Sequence, residues 1–236
     1  MRAAVAQISL SDDMNANVAK IIAFSERAIE AGIDVVCFPE CSLTGYIRDF
    51  SPVTKSDIEL NLERIQEKAA RYRINMIVGS PYFADDEVYN AAILINPDKS
   101  RRVYYKNILT EYDRKYFTAG KGTLTFTVGG VKCGVLICRD QNSPLLASCY
   151  AQNGSKAIFY LAAHYYSPPE AHRKYDKNRA LPIARAVENN IYVLKANAVG
   201  RQGDYLNLGG SLIVDPAGSV LQEAENTEET IIYVDI

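Results

Sequence analysis

Tryptophan is absent from this chain of 236 residues and histidine occurs only twice. No apolar run reaches the ~18 residues of a membrane span. With only His164 and His172 available, a thiol–imidazole pair or a histidine-rich metal site has few ways to form. Cysteine is sparse and odd in number, at positions 37, 41, 133, 138 and 149. That speaks against a disulfide framework and fits a reducing compartment, so a cytoplasmic location is expected. Lys and Arg (26) nearly balance Asp and Glu (28), for a net charge of −2 without a basic stripe. Nucleic acid and anionic membranes therefore gain no electrostatic foothold, and neither is expected as a partner. The opening MRAAVAQISL is too short an apolar stretch for a signal peptide and runs straight into SDDMN.

What the chain does have is ordinary globular material, 48% hydrophobic and 23% charged. With no linker in sight, residues 1–236 are expected to form one domain. AAVAQISL reads as a buried strand. Residues 15–31 place Val18, Ile21, Ile22, Ser25, Ala28 and Ile29 on one helical face, and Gly32 stops the helix. DVVCFPE (34–40) reads as an apolar strand, 56–72 as a second amphipathic helix with Ser56 or Asp57 near its N-cap, and INMIVGS (74–80) as a further strand. Strand-like segments follow at 88–96, 101–107, 124–130 and 131–140. A helix is expected over 144–153, with Asp140 and Asn142 as candidate caps, then a strand at 156–163. Residues 170–190 form a long helix in which Pro182 predicts a kink or a break. Three closing strands end at TIIYVDI. Roughly ten strands with four helices exceed one doubly wound sheet, so the fold class is α/β, with two sheets packed face to face and helices outside.

Glu40 and Cys138 end apolar runs, and Lys106 ends a less apolar one. In α/β sheets ligands bind beyond the carboxyl ends of strands, where such side chains can converge. A carboxylate, an ammonium and a thiol suffice for acyl transfer: the carboxylate takes the thiol proton, the thiolate attacks, and the ammonium stabilises the oxyanion. Neither histidine has a context that recommends it as the base. Cys133 lies on the opposite strand face by parity and is expected to pack. Cys37 and Cys41 lack the second ligand pair that zinc would need, so no metal is expected. Cys149 is expected to pack in its helix. Glu188 and Asn189 are expected to tie helix to loops, and His164 to line the pocket after its strand.

FPECSLTGY (38–46), VYYKNILTEYDRKYFTAGKG (103–122), GVLICRDQNSP (134–144) and RAVENNIYVLKAN (185–197) together resemble segments of the carbon–nitrogen hydrolase (nitrilase) superfamily, in its amidase-like branch. The resemblance implies a four-layer α-β-β-α sandwich that forms a homodimer or a higher homo-oligomer. It implies Glu40 as general base, Lys106 as oxyanion stabiliser and Cys138 as nucleophile, the Arg139 N–H assisting Lys106. The family's second acidic position falls on Asp113, with Glu111 as the alternative. Tyr46, Arg139 and His164 are candidate substrate contacts. Hydrolysis of a small amide or N-carbamoyl compound without metal or organic cofactor is the implied activity; nitrile hydrolysis and a degenerate binding protein are the alternatives. Loops after residues 46, 82, 110, 142 and 164 are expected to carry specificity.

Overall fold

In the computed structural model, which describes residues 1–202 and 204–236, the first half of the chain runs β1 (Arg2–Gln7), α1 (Met14–Glu30), β2 (Val35–Cys37), α2 (Lys55–Tyr72), β3 (Asn75–Ala84), β4 (Glu87–Ile95) and β5 (Arg101–Tyr105). The second half runs β6 (Thr125–Val128), β7 (Val131–Ile137), α3 (Pro144–Gln152), β8 (Ala157–Ala162), β9 (Tyr165–Tyr166), α4 (Pro168–Asn189), β10 (Tyr192–Asn197), β11 (Val199–Gln202), β12 (Tyr205–Leu208), β13 (Leu212–Val214), β14 (Val220–Glu223) and β15 (Thr230–Asp235). One six-stranded sheet has the order β15-β1-β2-β3-β4-β5 and the other β14-β13-β10-β8-β7-β6. β1, β2 and β3 are mutually parallel, as are β7, β8 and β10, and each parallel step needs a crossover, which α1, α2, α3 and α4 supply.

The strand period of two sorts side chains between cores. Ala3 and Val5 join the core between the sheets, with Val135, Phe159 and Leu194, while Ala4 and Ala6 join the core beneath α1 and α2. Helices therefore cover the outer face of each sheet, and the four-layer α-β-β-α expectation holds.

Local expectations differ from the structure in instructive places. The expected strand 34–40 pairs only over Val35–Cys37; Pro39 has no N–H to donate, and the chain turns at Cys41, whose φ is +50°. α2 starts earlier than Ser56 or Asp57, at the cap Thr54, whose Oγ1 accepts from the Asp57 N–H at 3.2 Å. α4 runs through Pro182 as one helix. The carbonyl that the proline ring leaves without its helical donor is that of Asn178, and the buried Lys195 Nζ donates to it at 3.2 Å. Asp140 and Asn142 do not cap α3; Ser143 occupies that position without a side-chain bond. Cys149 is exposed rather than packed. The strands without an expectation are the short ones, above all the three-stranded sheet β11-β12-β9.

Candidate active site

Glu40, Lys106 and Cys138 leave the ends of β2, β5 and β7 on the same side of the two sheets. Glu40 sits in the turn after β2, where Ser42 N–H bonds Pro39 O at 3.2 Å and Leu43 N–H bonds Gly79 O at 3.0 Å. β3 has a glycine opposite this turn for a steric reason. A Cβ on Gly79 would lie 2.4 Å from Pro39 O, 2.5 Å from Cys41 N and 2.8 Å from Glu40 Cα, all backbone atoms. Lys106 follows β5 directly; its N–H donates to Asn90 O and its carbonyl accepts from Gly120 N–H, each at 2.8 Å.

The Lys106 side chain is fully buried, and its Nζ lies 2.6 Å from Glu40 Oε1 and 2.7 Å from Asp113 Oδ2, two carboxylates equally shut off from water. Each anion has further donors. Asn90 Nδ2 donates to Glu40 Oε1 at 2.8 Å and Ala163 N–H to Oε2 at 3.1 Å. Tyr46 Oη donates to Asp113 Oδ1 at 2.7 Å and Thr110 N–H to Oδ2 at 2.8 Å. Burial works against the Asp113 charge, yet Lys106 and these donors hold its pKa below the usual carboxylate value. Burial likewise opposes the Lys106 charge, but Glu40, Cys138 and Asp113 outweigh it and raise the ammonium pKa well above its ordinary range. Of the two candidates for the second acid, Asp113 joins the cluster; Glu111 is exposed.

Cys138 opens a tight 3₁₀ turn over Cys138–Asn142 in a left-handed backbone conformation, φ +42°, unusual for a residue with a Cβ. Such a turn fans successive side chains apart. Cys138 faces a cavity of about 910 Å³, Arg139 is exposed and not among the lining residues, and Asp140 is fully buried. The Arg139 side chain is therefore not brought to the site. The cation at the cavity rim is Arg48, which lies 3.8 Å from Asp204 and over the Tyr205 ring.

Asp140 braces the turn. Its Oδ2 accepts from Ile137 N–H at 3.1 Å and Tyr104 Oη at 2.8 Å, and its Oδ1 from Ile108 N–H at 2.8 Å and Asn107 N–H at 3.2 Å. One carboxylate thus ties the Cys138 turn to the loop after Lys106. Burial pushes it up to about 6 despite those donors.

The Cys138 thiol is held well above its usual pKa, first by burial and then by the Glu40 charge, with Lys106 opposing. At rest it keeps its proton, with a carboxylate acceptor beside it. Cys37, Cys41 and Cys133 are also buried, and burial raises their thiols too, but none lines the cavity. Tyr46 and His164 do line it, with Tyr112, Tyr165, Tyr166 and Tyr205. Burial and the charges of Lys195 and Lys106 keep His164 neutral, its pKa well below the ordinary imidazole value. The loops after 46, 110 and 164 border the cavity; those after 82 and 142 do not. Asn90, Ala163 and the short β9 and β12 carried no recognisable signal, since each acts through a contact distant in sequence, and Asp140 read only as a helix cap. Glu188 pairs with Arg185 at 2.6 Å, and Asn189 Nδ2 donates to the Arg185 carbonyl at 2.9 Å, so both serve the end of α4.

Comparison with known proteins supplies an independent finding. The family model described as carbon-nitrogen hydrolase matches residues 2–236. Omega-amidase NIT2 of Mus musculus is 31% identical over 248 aligned residues, covering 100% of this chain and 88% of that protein. A glutamine-dependent NAD(+) synthetase of Thermotoga maritima is 28% identical, covering 100% of this chain and 42% of the synthetase. An amidase structure from Nesterenkonia sp. superposes with a TM-score of 0.90 at 25% identity, covering 100% of this chain and 90% of that one.

Proposed function

Because the chain belongs to the carbon–nitrogen hydrolase family, we propose that it hydrolyses the carboxamide of a small molecule through a thioester on Cys138. The observation that carries this reading is the placement of Cys138 in the cavity lining beside a carboxylate–ammonium–carboxylate cluster closed to water. The amidase and omega-amidase relatives support the choice of amide over nitrile.

Glu40 is the base. Its Oε1 is committed to Lys106 and Asn90, while Oε2 receives one N–H, which leaves lone-pair capacity for the thiol proton. As the amide carbon meets the sulfur, the proton passes from Sγ to Glu40 and the C–S bond forms. The carbonyl electrons collect on oxygen, stabilised by Lys106 Nζ and the Arg139 N–H. Glu40 returns the proton to the leaving nitrogen, which departs as ammonia or amine. A water then loses its proton to Glu40 and attacks the thioester, releasing the acid and restoring the thiol. Asp113 keeps Lys106 aimed and charged throughout. Tyr46 and His164 border the acyl group.

Residues 1–236 act together as one domain in this reading, in the cytoplasm and as a homodimer or larger homo-oligomer. Self-association through α3 and α4 would cover the exposed Leu145 and Val187. Ammonia release from a panel of small carboxamides and N-carbamoyl compounds tests the activity: Cys138→Ala is expected to abolish it while the fold persists. Turnover of the same compound by Cys138→Ala at the wild-type rate would remove Cys138 from the reaction.

A further inference from the structure

The carbonyl of Cys138 is not free. The Tyr160 hydroxyl, on the strand parallel to β7, donates to it, and Tyr160 is only 2% exposed. That carbonyl and the Arg139 N–H are the two ends of one planar peptide and point in opposite directions. Holding the oxygen toward Tyr160 turns the N–H away from Tyr160. Locally this peptide is held by the 3₁₀ turn that Cys138 opens, and that turn begins in the left-handed region that side chains disfavour, so a second hold on the carbonyl matters. Asp140 braces the turn through the Ile137 N–H, two peptides earlier than the one in question.

We propose that Tyr160 is a positioning residue that fixes the Cys138–Arg139 peptide so that the Arg139 N–H meets the substrate oxyanion with Lys106, a role that rests on the acyl-transfer reading of the same site. The hydroxyl suits the task. Burial, with the charges of Cys138 and Glu40 beyond it, keeps the phenol well above its ordinary pKa, so it remains a donor through the catalytic cycle. Its single proton goes to the Cys138 carbonyl. Its oxygen faces His164 Nε2 at 3.4 Å, a neutral ring that adds no charge to compete with the oxyanion. Tyr160 does not line the cavity, so it does not touch substrate and reaches the reaction through the Cys138–Arg139 peptide that it holds.

The test compares two reactions of the same sulfur. Amide hydrolysis passes through an oxyanion; alkylation by iodoacetamide is a displacement at saturated carbon and does not. Tyr160→Phe removes the hydroxyl and keeps the ring. Its kcat for ammonia release from a short aliphatic carboxamide is expected to fall at least ~10-fold, towards the ~10²–10³ of a lost oxyanion donor, with KM little changed. Its rate of Cys138 alkylation is expected to match wild type within about twofold. Butyraldehyde, which forms a tetrahedral adduct on the sulfur, should inhibit the variant less well by a similar factor. Tyr160→Met provides the same comparison if the Phe variant does not fold. Equal losses in hydrolysis and alkylation would make Tyr160 merely structural, and no loss in either would make it irrelevant; both results overturn the proposal. A wild-type protein that neither hydrolyses amides nor alkylates at Cys138 would overturn the acyl-transfer reading itself, and this role with it.

Discussion

Replacing Lys106 with Met keeps most of the side-chain volume and removes the charge shared by Glu40 and Asp113. Both carboxylates are fully buried at 2.6 and 2.7 Å from Nζ, and two buried anions without a cation cannot both stay charged. One takes up a proton on folding. Keeping a carboxyl of ordinary pKa ~3.9 neutral at pH 7 costs about 1.36 × 3.1, or roughly 4 kcal/mol. That falls within the ~3–5 kcal/mol expected for breaking a buried pair from one side. The pH signature follows from the sign. The folded variant binds a proton that the unfolded chain releases above pH ~4, so its stability falls by about 1.4 kcal/mol per pH unit as pH rises from ~4 towards 7. Wild type behaves oppositely: Asp113 has a lowered pKa, so its contribution is present above the unfolded value and lost as pH falls through the folded one. Urea unfolding of both proteins at pH 4.5, 5.5 and 7 is the assay, and the gap should widen steadily with pH. Near pH 7 the melting temperature should fall by about 8–16 °C. A gap below ~1 kcal/mol, or one that does not change with pH, would refute the reasoning. Amide hydrolysis should fall by ~10²–10³ at any pH where the variant is folded.

Asp140→Asn replaces an acceptor of four donors by a group with one acceptor oxygen, setting an NH₂ against the Ile137 N–H; about 1–3 kcal/mol should be lost. Because burial pushes Asp140 up to about 6, wild type gains stability from this group below the unfolded value and loses it as pH rises through about 6. The Asn variant should lack that slope in urea titrations between pH 4 and 6. Gly79→Ala drives a Cβ into the Glu40 turn and should cost ~1–3 kcal/mol, with kcat falling more than alkylation of Cys138 as the base is displaced. Tyr46→Phe removes a donor from Asp113, so the Asp113 pKa rises and the acid limb of the kcat profile should move to higher pH.

Glu40 and Cys138 were legible because each ends an apolar run, Lys106 only through the YYKN segment around it, and Cys138 stood out for its company rather than its own surroundings. The sheet-and-helix alternation was equally visible in the period-two and period-3.6 patterns. Contacts that close late in the chain were invisible. Asn90 reads as any strand asparagine until Glu40 comes to rest beside it, 50 positions away. Asp140 reads as a helix cap because its true partners, Tyr104 and the N–H groups after Lys106, belong to another strand end. Pro182 predicted a kink or a break, and the distant Lys195 explains why the freed carbonyl is tolerated in one helix. Arg139 was offered to the substrate by its place next to Cys138, but the tight turn sends neighbouring side chains in different directions. The rim cation Arg48 had no motif to announce it.

The central claim is a covalent acyl intermediate on Cys138. Acid-quenching the protein during turnover of a small carboxamide and taking its intact mass tests it directly. An added mass equal to the acyl group, mapped to Cys138, discharged by hydroxylamine and absent in Cys138→Ala, is the expected result. An adduct at another residue, or steady turnover by Cys138→Ala at the wild-type rate, would contradict it.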